Sequence, residues 1–154
     1  MRKTIAILCL ALAASCGDTA EDHNHGDHDG HSHGEGGHES TGEMTKDTTA
    51  GHFTVALTHA GEGPSAGTTT TATLVITKKS DGSAVTGATV TATPNMPAHG
   101  HGSSQDPVVV ESATPGTYDV TNILYTMSGG WTLDISITSG DMTDSVMFSF
   151  DIGS

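Results

Sequence analysis

Six histidines stand within sixteen positions of this chain: His23, His25, His28, His31, His33 and His38. Neutral imidazole is the commonest protein ligand for Zn(II), Cu(II) and Ni(II). The His-x-His spacings let two rings reach one ion from a flexible backbone. Interleaved Asp27, Asp29 and Glu35 raise the local concentration of cations. They also favour the protonated imidazole, so metal binding weakens as pH falls and protons compete. A flexible segment imposes no coordination geometry, so raw affinity order favours Cu(II), with Zn(II) as the other cargo. The plainer alternative is a solvated linker whose histidines do nothing.

A second cluster has a different character. Pro94-Asn95-Met96-Pro97-Ala98-His99-Gly100-His101-Gly102 presents a thioether and two imidazoles within six residues. Thioether sulfur is soft and selects Cu(I), whereas zinc rarely accepts it. Prolines stiffen the entry of this loop, and Gly100 and Gly102 free its exit. Met127 lies in a second loop, Tyr125-Thr126-Met127-Ser128-Gly129-Gly130-Trp131. Loops at one end of a sandwich cluster, so Met127 is expected to complete a site with Met96, His99 and His101. A lone methionine more often fills a core, and Met142 and Met147 read as such filler or as surface scatter. His59 is in phase with Phe53, Val55 and Leu57 and reads as a core-capping histidine.

These loops must be held by the elements around them. From residue 51 onward, short stretches rich in Thr, Val and Ile alternate with Gly, Pro, Asp and Ser. Strand character falls at 52–59, 69–77, 88–93, 108–112, 117–124, 131–138 and 145–152. Leu133, Ile135 and Ile137 share one face, opposite Asp134 and Ser136. Such period-two alternation gives one buried and one wet face, hence antiparallel sheets. Ser80-Asp81-Gly82-Ser83, Pro115-Gly116 and Ser139-Gly140-Asp141 are the turns between them. Seven short strands in about a hundred residues predict an all-β fold, a single immunoglobulin-like antiparallel sandwich over 51–154. Trp131 and Tyr118 belong to its core. Residues 16–50 bury too little apolar surface to offset chain entropy and read as a disordered tether.

The start of the chain reads as an export signal over 1–15. Arg2 and Lys3 precede a short apolar run, which is too short to span a bilayer. Ala13-Ala14-Ser15-Cys16 resembles the bacterial lipobox, in which the cysteine is lipidated and becomes the first residue. Cys9 and Cys16 are the two cysteines. Removal of the signal leaves no thiol for a disulfide, a zinc finger or thiol catalysis. It also leaves three lysines against eighteen carboxylates, a surface that attracts cations and repels nucleic acid. The expected location is the bacterial envelope, anchored by lipid at Cys16 on the periplasmic side. Gly17, where an aspartate would retain a lipoprotein in the inner membrane, favours the outer one.

Residues 52–152 resemble the YtkA-like domain family, related to the FixH-like proteins. The resemblance is carried by Met96-Pro97-x-His99-Gly100, by Pro115-Gly116-x-Tyr118, and by Met127-x-Gly129-x-Trp131. It implies a small exported or membrane-tethered β-sandwich concerned with copper handling or respiratory oxidase assembly. The family's Met-Pro-x-His loop maps onto Met96, Pro97 and His99. The chain departs from it by carrying His101 and the histidine-rich tail.

The leading expectation is a copper-binding envelope lipoprotein that is not an enzyme. The tail would collect Cu(II) or Zn(II), and the Met/His loop would hold Cu(I) for buffering or for a copper-receiving membrane or periplasmic protein. One alternative is a zinc accessory acting through the tail alone. Another is an interaction module that docks a membrane partner without metal. An enzyme is disfavoured because no nucleophile–base pair or phosphate loop is present. A metal hydrolase would need His99, His101 and a carboxylate such as Asp106 to converge.

Overall fold

Alternating apolar and polar side chains give each strand-forming segment one face that must leave water. The chain meets that demand by pressing two antiparallel sheets together. The computed structural model describes residues 43–153. Nine strands form: β1 (Met44–Asp47), β2 (Phe53–His59), β3 (Thr69–Lys78), β4 (Thr89–Met96), β5 (His101–Gly102), β6 (Val108–Glu111), β7 (Thr117–Leu124), β8 (Gly129–Ser139) and β9 (Met142–Ile152). One sheet has the order β1-β2-β3-β7-β6 and the other β5-β4-β8-β9. The fold is the all-β sandwich that the alternation predicts. Cys16 and the six tail histidines lie outside the described residues.

The core is the sum of the inward positions. Phe53, Val55 and Leu57 of β2 face Leu133, Ile135 and Ile137 of β8 from the opposite sheet, all 1% exposed or less. Each such side chain contributes about 1.5–3 kcal/mol by leaving water. The Tyr118 hydroxyl donates to the Val85 carbonyl at 2.9 Å and accepts from the Ala88 N–H at 3.2 Å, tying β7 to the chain that crosses between sheets. Turn chemistry follows the sequence. The Thr117 N–H bonds the Thr114 carbonyl, with Pro115 second and Gly116 third at a φ of +73°, as a type II turn requires. A Cβ at Gly116 would lie 2.9 Å from the Ile76 carbonyl oxygen, so glycine is needed there for space as well as for φ.

Three departures from the sequence reading have physical causes. First, order begins earlier than residue 51. Strand β1 pairs with β2 from Met44↔Leu57 to Asp47↔Thr54. Composition misses it because β2 supplies the pairing and Met44 is its one apolar side chain packed against the core. Lys46 lies over the Phe148 ring and donates to the Met147 carbonyl, while Asp47 pairs with Lys79 at 2.6 Å. Charges suit an exposed edge strand. Second, β4 does not stop before Pro94 but runs to Met96. Proline forfeits only a donor, and the Pro94 carbonyl still accepts the Ser103 N–H at 3.2 Å. Third, the 94–102 segment is a hairpin rather than an open loop, with Met96↔His101 and Asn95↔Gly102 paired.

A bulge in β7 decides which way Tyr125 points. Ala72 of β3 pairs with Val120, but Thr70 pairs with Ile123. Thr121 and Asn122 therefore oppose the single residue Thr71. Asn122 takes a φ of +60°, which asparagine tolerates better than any branched residue. The extra residue shifts the alternation by one. Tyr118 and Val120 point inward before it, and Ile123 and Tyr125 point inward after it. Without the bulge, Tyr125 would face solvent. Asn122→Val is expected to destabilise the fold by about 1–2 kcal/mol, and Asn122→Gly by less. Urea unfolding midpoints of the two variants check this, and equal loss in both would contradict it.

Candidate metal centre

β2, β4, β7 and β9 all finish at the end of the sandwich where β8 begins. That end collects His59, the 96–101 hairpin, Tyr125, Met127, Trp131 and Phe150. The two loops singled out from the sequence therefore come to one end.

Met96 is the last inward residue of β4 and is 3% exposed. Its thioether reaches across to β8. A Cβ built on Gly129 would stand 2.7 Å from the Met96 methyl carbon, and Gly129 has a φ of +126°. Glycine there admits the methionine. Just beyond Met96 the chain reverses, with the N–H groups of His99 and Gly100 both bonding the Met96 carbonyl. This turn lifts His99 and His101 onto the surface, where both are exposed. Their ring centres are 5.8 Å apart. With metal–nitrogen bonds of about 2.0 Å, two imidazoles on one ion stand roughly 5–6 Å apart centre to centre.

The hairpin also fixes a tautomer. His101 Nδ1 lies 3.1 Å from the Gly102 carbonyl oxygen. A carbonyl only accepts, so Nδ1 carries the proton and the neutral ring keeps its Nε2 lone pair free for a metal. The other side of the ring meets Trp131 edge-on, 5.8 Å between centres. Trp131 is 1% exposed and its Nε1–H donates to the Met127 carbonyl at 2.9 Å. That bond draws the Met127 loop onto the same end, and Met127 itself is 41% exposed.

The available donors are thus one buried thioether, one exposed thioether and two exposed imidazoles. Among the described residues no three His, Cys, Asp or Glu side chains converge. The hydrolase arrangement of His99, His101 and Asp106 is therefore not assembled. The thioethers at this end are donors of the kind a soft ion prefers.

Two features escaped the sequence. An open groove of about 420 Å³ runs beside the hairpin, lined in part by Asn95, His101, Thr132, Asp134 and Met147. Asn95 Nδ2 donates to Asp134 Oδ2 at 2.7 Å, while Asp134 Oδ1 is buried without a partner among the described residues. Outward positions on neighbouring strands meet there, and no linear spacing announces it. The second feature is the His59–Tyr125 pair behind Trp131. His59 Nε2 is 3.2 Å from the Tyr125 hydroxyl, and the His59 ring meets Phe150 edge-on at 4.9 Å. His59 thus caps the core as its phase predicts. His52, at the far end of β2, lines a depression shared with Lys78 and Lys79, whose charges oppose a cation. Met142 and Met147 are surface residues, 39% and 53% exposed.

Burial lowers the His59 imidazole to about 4 and raises the Tyr125 phenol. The unfolded chain takes up a proton at His59 near 6.5, and the folded chain does not until about 4. Stability from this group is therefore full above 6.5 and declines as pH falls from there towards 4. His59→Phe should flatten the fall in Tm between about pH 7 and pH 5. An unchanged slope in calorimetry would contradict the assignment.

A family model described as YtkA-like matches residues 47–136. Among curated proteins, nothing matches. Solved structures similar to the sandwich include FetP of uropathogenic Escherichia coli, at 12% identity, 75% of this chain, 95% of that chain and a TM-score of 0.47. A copper-bound variant of FetP is similar at 10% identity, 75% of this chain, 91% of that chain and a TM-score of 0.46.

Proposed function

Because this chain belongs to the YtkA-like family, we propose that it captures and holds copper in the bacterial envelope and passes it on without turnover. Met96, His99 and His101 are the core of the site, with Met127 as a further thioether ligand. The observation that carries this reading is the pairing of a buried thioether with two surface imidazoles on one tight reversal. Soft sulfur with neutral imidazole favours Cu(I) over zinc and over hard cations. Three donors at the surface leave the ion accessible to a receiving membrane or periplasmic protein.

The remaining parts of the proposal lie on residues 1–42. Lipid on Cys16 anchors the protein on the periplasmic side, with the outer membrane as the preferred one. His23, His25, His28, His31, His33 and His38 gather Cu(II) or Zn(II) and raise its concentration near the hairpin. The hairpin holds copper that reaches it as Cu(I).

The test uses the full chain with asparagine at the six tail histidines, because β1 begins at Met44 and a truncation near residue 50 would remove it. Titration against a chromophoric Cu(I) competitor should show one tightly held Cu(I) per chain. Loss of all Cu(I) binding in this variant would instead assign metal binding to the tail alone, as a zinc or copper buffer. No metal binding even with the tail intact would favour an interaction module.

A further inference from the structure

The chain holds six aromatic residues, and its single tryptophan and one of its two tyrosines adjoin the candidate metal centre. Ring centres run from His101 to Trp131 at 5.8 Å, from Trp131 to Tyr125 at 5.5 Å, and from Tyr125 to His59 at 6.1 Å. Trp131 and Tyr125 are 1% exposed or less. Tyr125 ends the series with its hydroxyl 3.2 Å from His59 Nε2. A buried phenol needs an acceptor for its proton, and among the described residues His59 Nε2 is the one within reach. The O–H therefore donates to the Nε2 lone pair, and His59 keeps its own proton on Nδ1. Tyr118 is built differently, since its hydroxyl donates to a backbone carbonyl, which is a poor proton acceptor.

We infer that Tyr125 is a redox-active tyrosine, which takes up one-electron oxidising equivalents arising at the hairpin, with Trp131 as relay and His59 Nε2 as proton acceptor. The copper source of the oxidant rests on the function proposed above, while the properties of the pair do not. Cu(I) held by Met96, His99 and His101 would supply the one electron that splits hydrogen peroxide into hydroxide and a hydroxyl radical, and would itself become Cu(II). The radical takes one electron from the Trp131 indole and becomes a second hydroxide. The indole radical cation takes one electron from Tyr125, whose proton passes to His59 Nε2. The products are Cu(II), two hydroxides, a neutral tyrosyl radical and an imidazolium. A phenol radical cation is a far stronger acid than an imidazolium, so the transfer runs towards His59 although burial makes that ring a weak base. The outcome is an oxidising equivalent delivered to Tyr125 instead of to the thioethers at the hairpin.

The test has two arms, both on the full chain. In the first, metal-free protein is oxidised by a photogenerated ruthenium(III) polypyridyl complex, and radicals are followed by transient absorption and electron paramagnetic resonance. A tyrosyl radical is expected in the wild type and in Tyr118→Phe. In Tyr125→Phe only the Trp131 radical should remain. His59→Gln should slow tyrosyl formation at least tenfold and reduce its solvent deuterium isotope effect. Circular dichroism and Trp131 fluorescence verify that each variant is folded. A tyrosyl signal that survives Tyr125→Phe and vanishes in Tyr118→Phe overturns the inference, as does a rate unmoved by His59→Gln. The second arm adds hydrogen peroxide to Cu(I)-loaded protein carrying the six tail substitutions. The same Tyr125 radical is expected. Its absence there, with the first arm intact, overturns copper as the source and leaves the redox pair standing.

Discussion

Replacing Met96 with leucine is expected to weaken Cu(I) binding at the hairpin at least about a hundredfold, more than the ~10–100-fold that loss of an outer-shell partner costs. Leucine preserves the volume and shape of the buried side chain, and such exchanges cost under about 1.5 kcal/mol of stability. The hairpin should therefore stay in place while its sulfur is lost. Affinity should fall with only a small change in Tm, a combination that simple unfolding would not produce. The imidazoles would remain, so Zn(II) or Cu(II) binding in the same variant should change much less. The comparison is made by competition titration with each ion on the tail-substituted chain. Equal Cu(I) affinity in Met96→Leu and parent protein would remove the thioether from the site. Met96 would then be ordinary core filler beneath Gly129.

The largest stability effect is expected at Asp144, near the start of β9 and 6% exposed. Its two oxygens accept from Thr48 Oγ1 at 2.6 Å, from the Ala50 N–H at 2.9 Å, from the His52 N–H at 3.1 Å and from its neighbour Ser145 N–H at 2.8 Å. The Thr48 hydroxyl is in turn bonded to the backbone of Phe53. One carboxylate thus pins the reversal between β1 and β2 to the opposite sheet. Alanine would leave several donors without an acceptor, and each orphan costs about 1–3 kcal/mol. We expect Asp144→Ala to destabilise the fold by about 3 kcal/mol, a large share of the roughly 5–15 kcal/mol of a typical domain.

The pH dependence has a definite sign. Burial alone would raise the Asp144 carboxyl, but the bonds from Thr48, Ala50, His52 and Ser145 outweigh it and hold the group well below its usual range. The stabilisation is therefore complete above the unfolded value near 4 and is lost as pH falls below that value. Asp144→Asn should remove most of this acid sensitivity. Urea midpoints measured from about pH 5 down to pH 2 check the slope. A midpoint in Asp144→Ala equal to that of the parent would sink the account of this network.

Much of the scaffold was legible because period-two patterning is written in single residues. The alternations through 53–57, 72–76 and 133–137 name core faces without reference to partners. Turns were legible where one residue type meets one backbone need, as at Pro115-Gly116. What was hidden depends on neighbours distant in sequence. β1 has almost no apolar pattern and exists because β2 offers an edge. The Thr121–Asn122 bulge shifts the phase within a strand that otherwise alternates, and so decides whether Tyr125 faces core or water. At the candidate centre, the thioether and imidazole residues and their short spacing were readable, and so was the arrival of two loops at one end. The burial of Met96 under Gly129, the tautomer of His101 and the His59–Tyr125 contact were not. Each depends on which atoms of separate strands meet.

The most direct test of copper capture by the hairpin is X-ray absorption at the copper edge, on Cu(I)-loaded full chain with asparagine at the six tail histidines. The account predicts a first shell containing both sulfur and imidazole nitrogen, with the sulfur lost when Met96→Leu and Met127→Leu are combined. A shell of nitrogen and oxygen alone in the parent protein would contradict it.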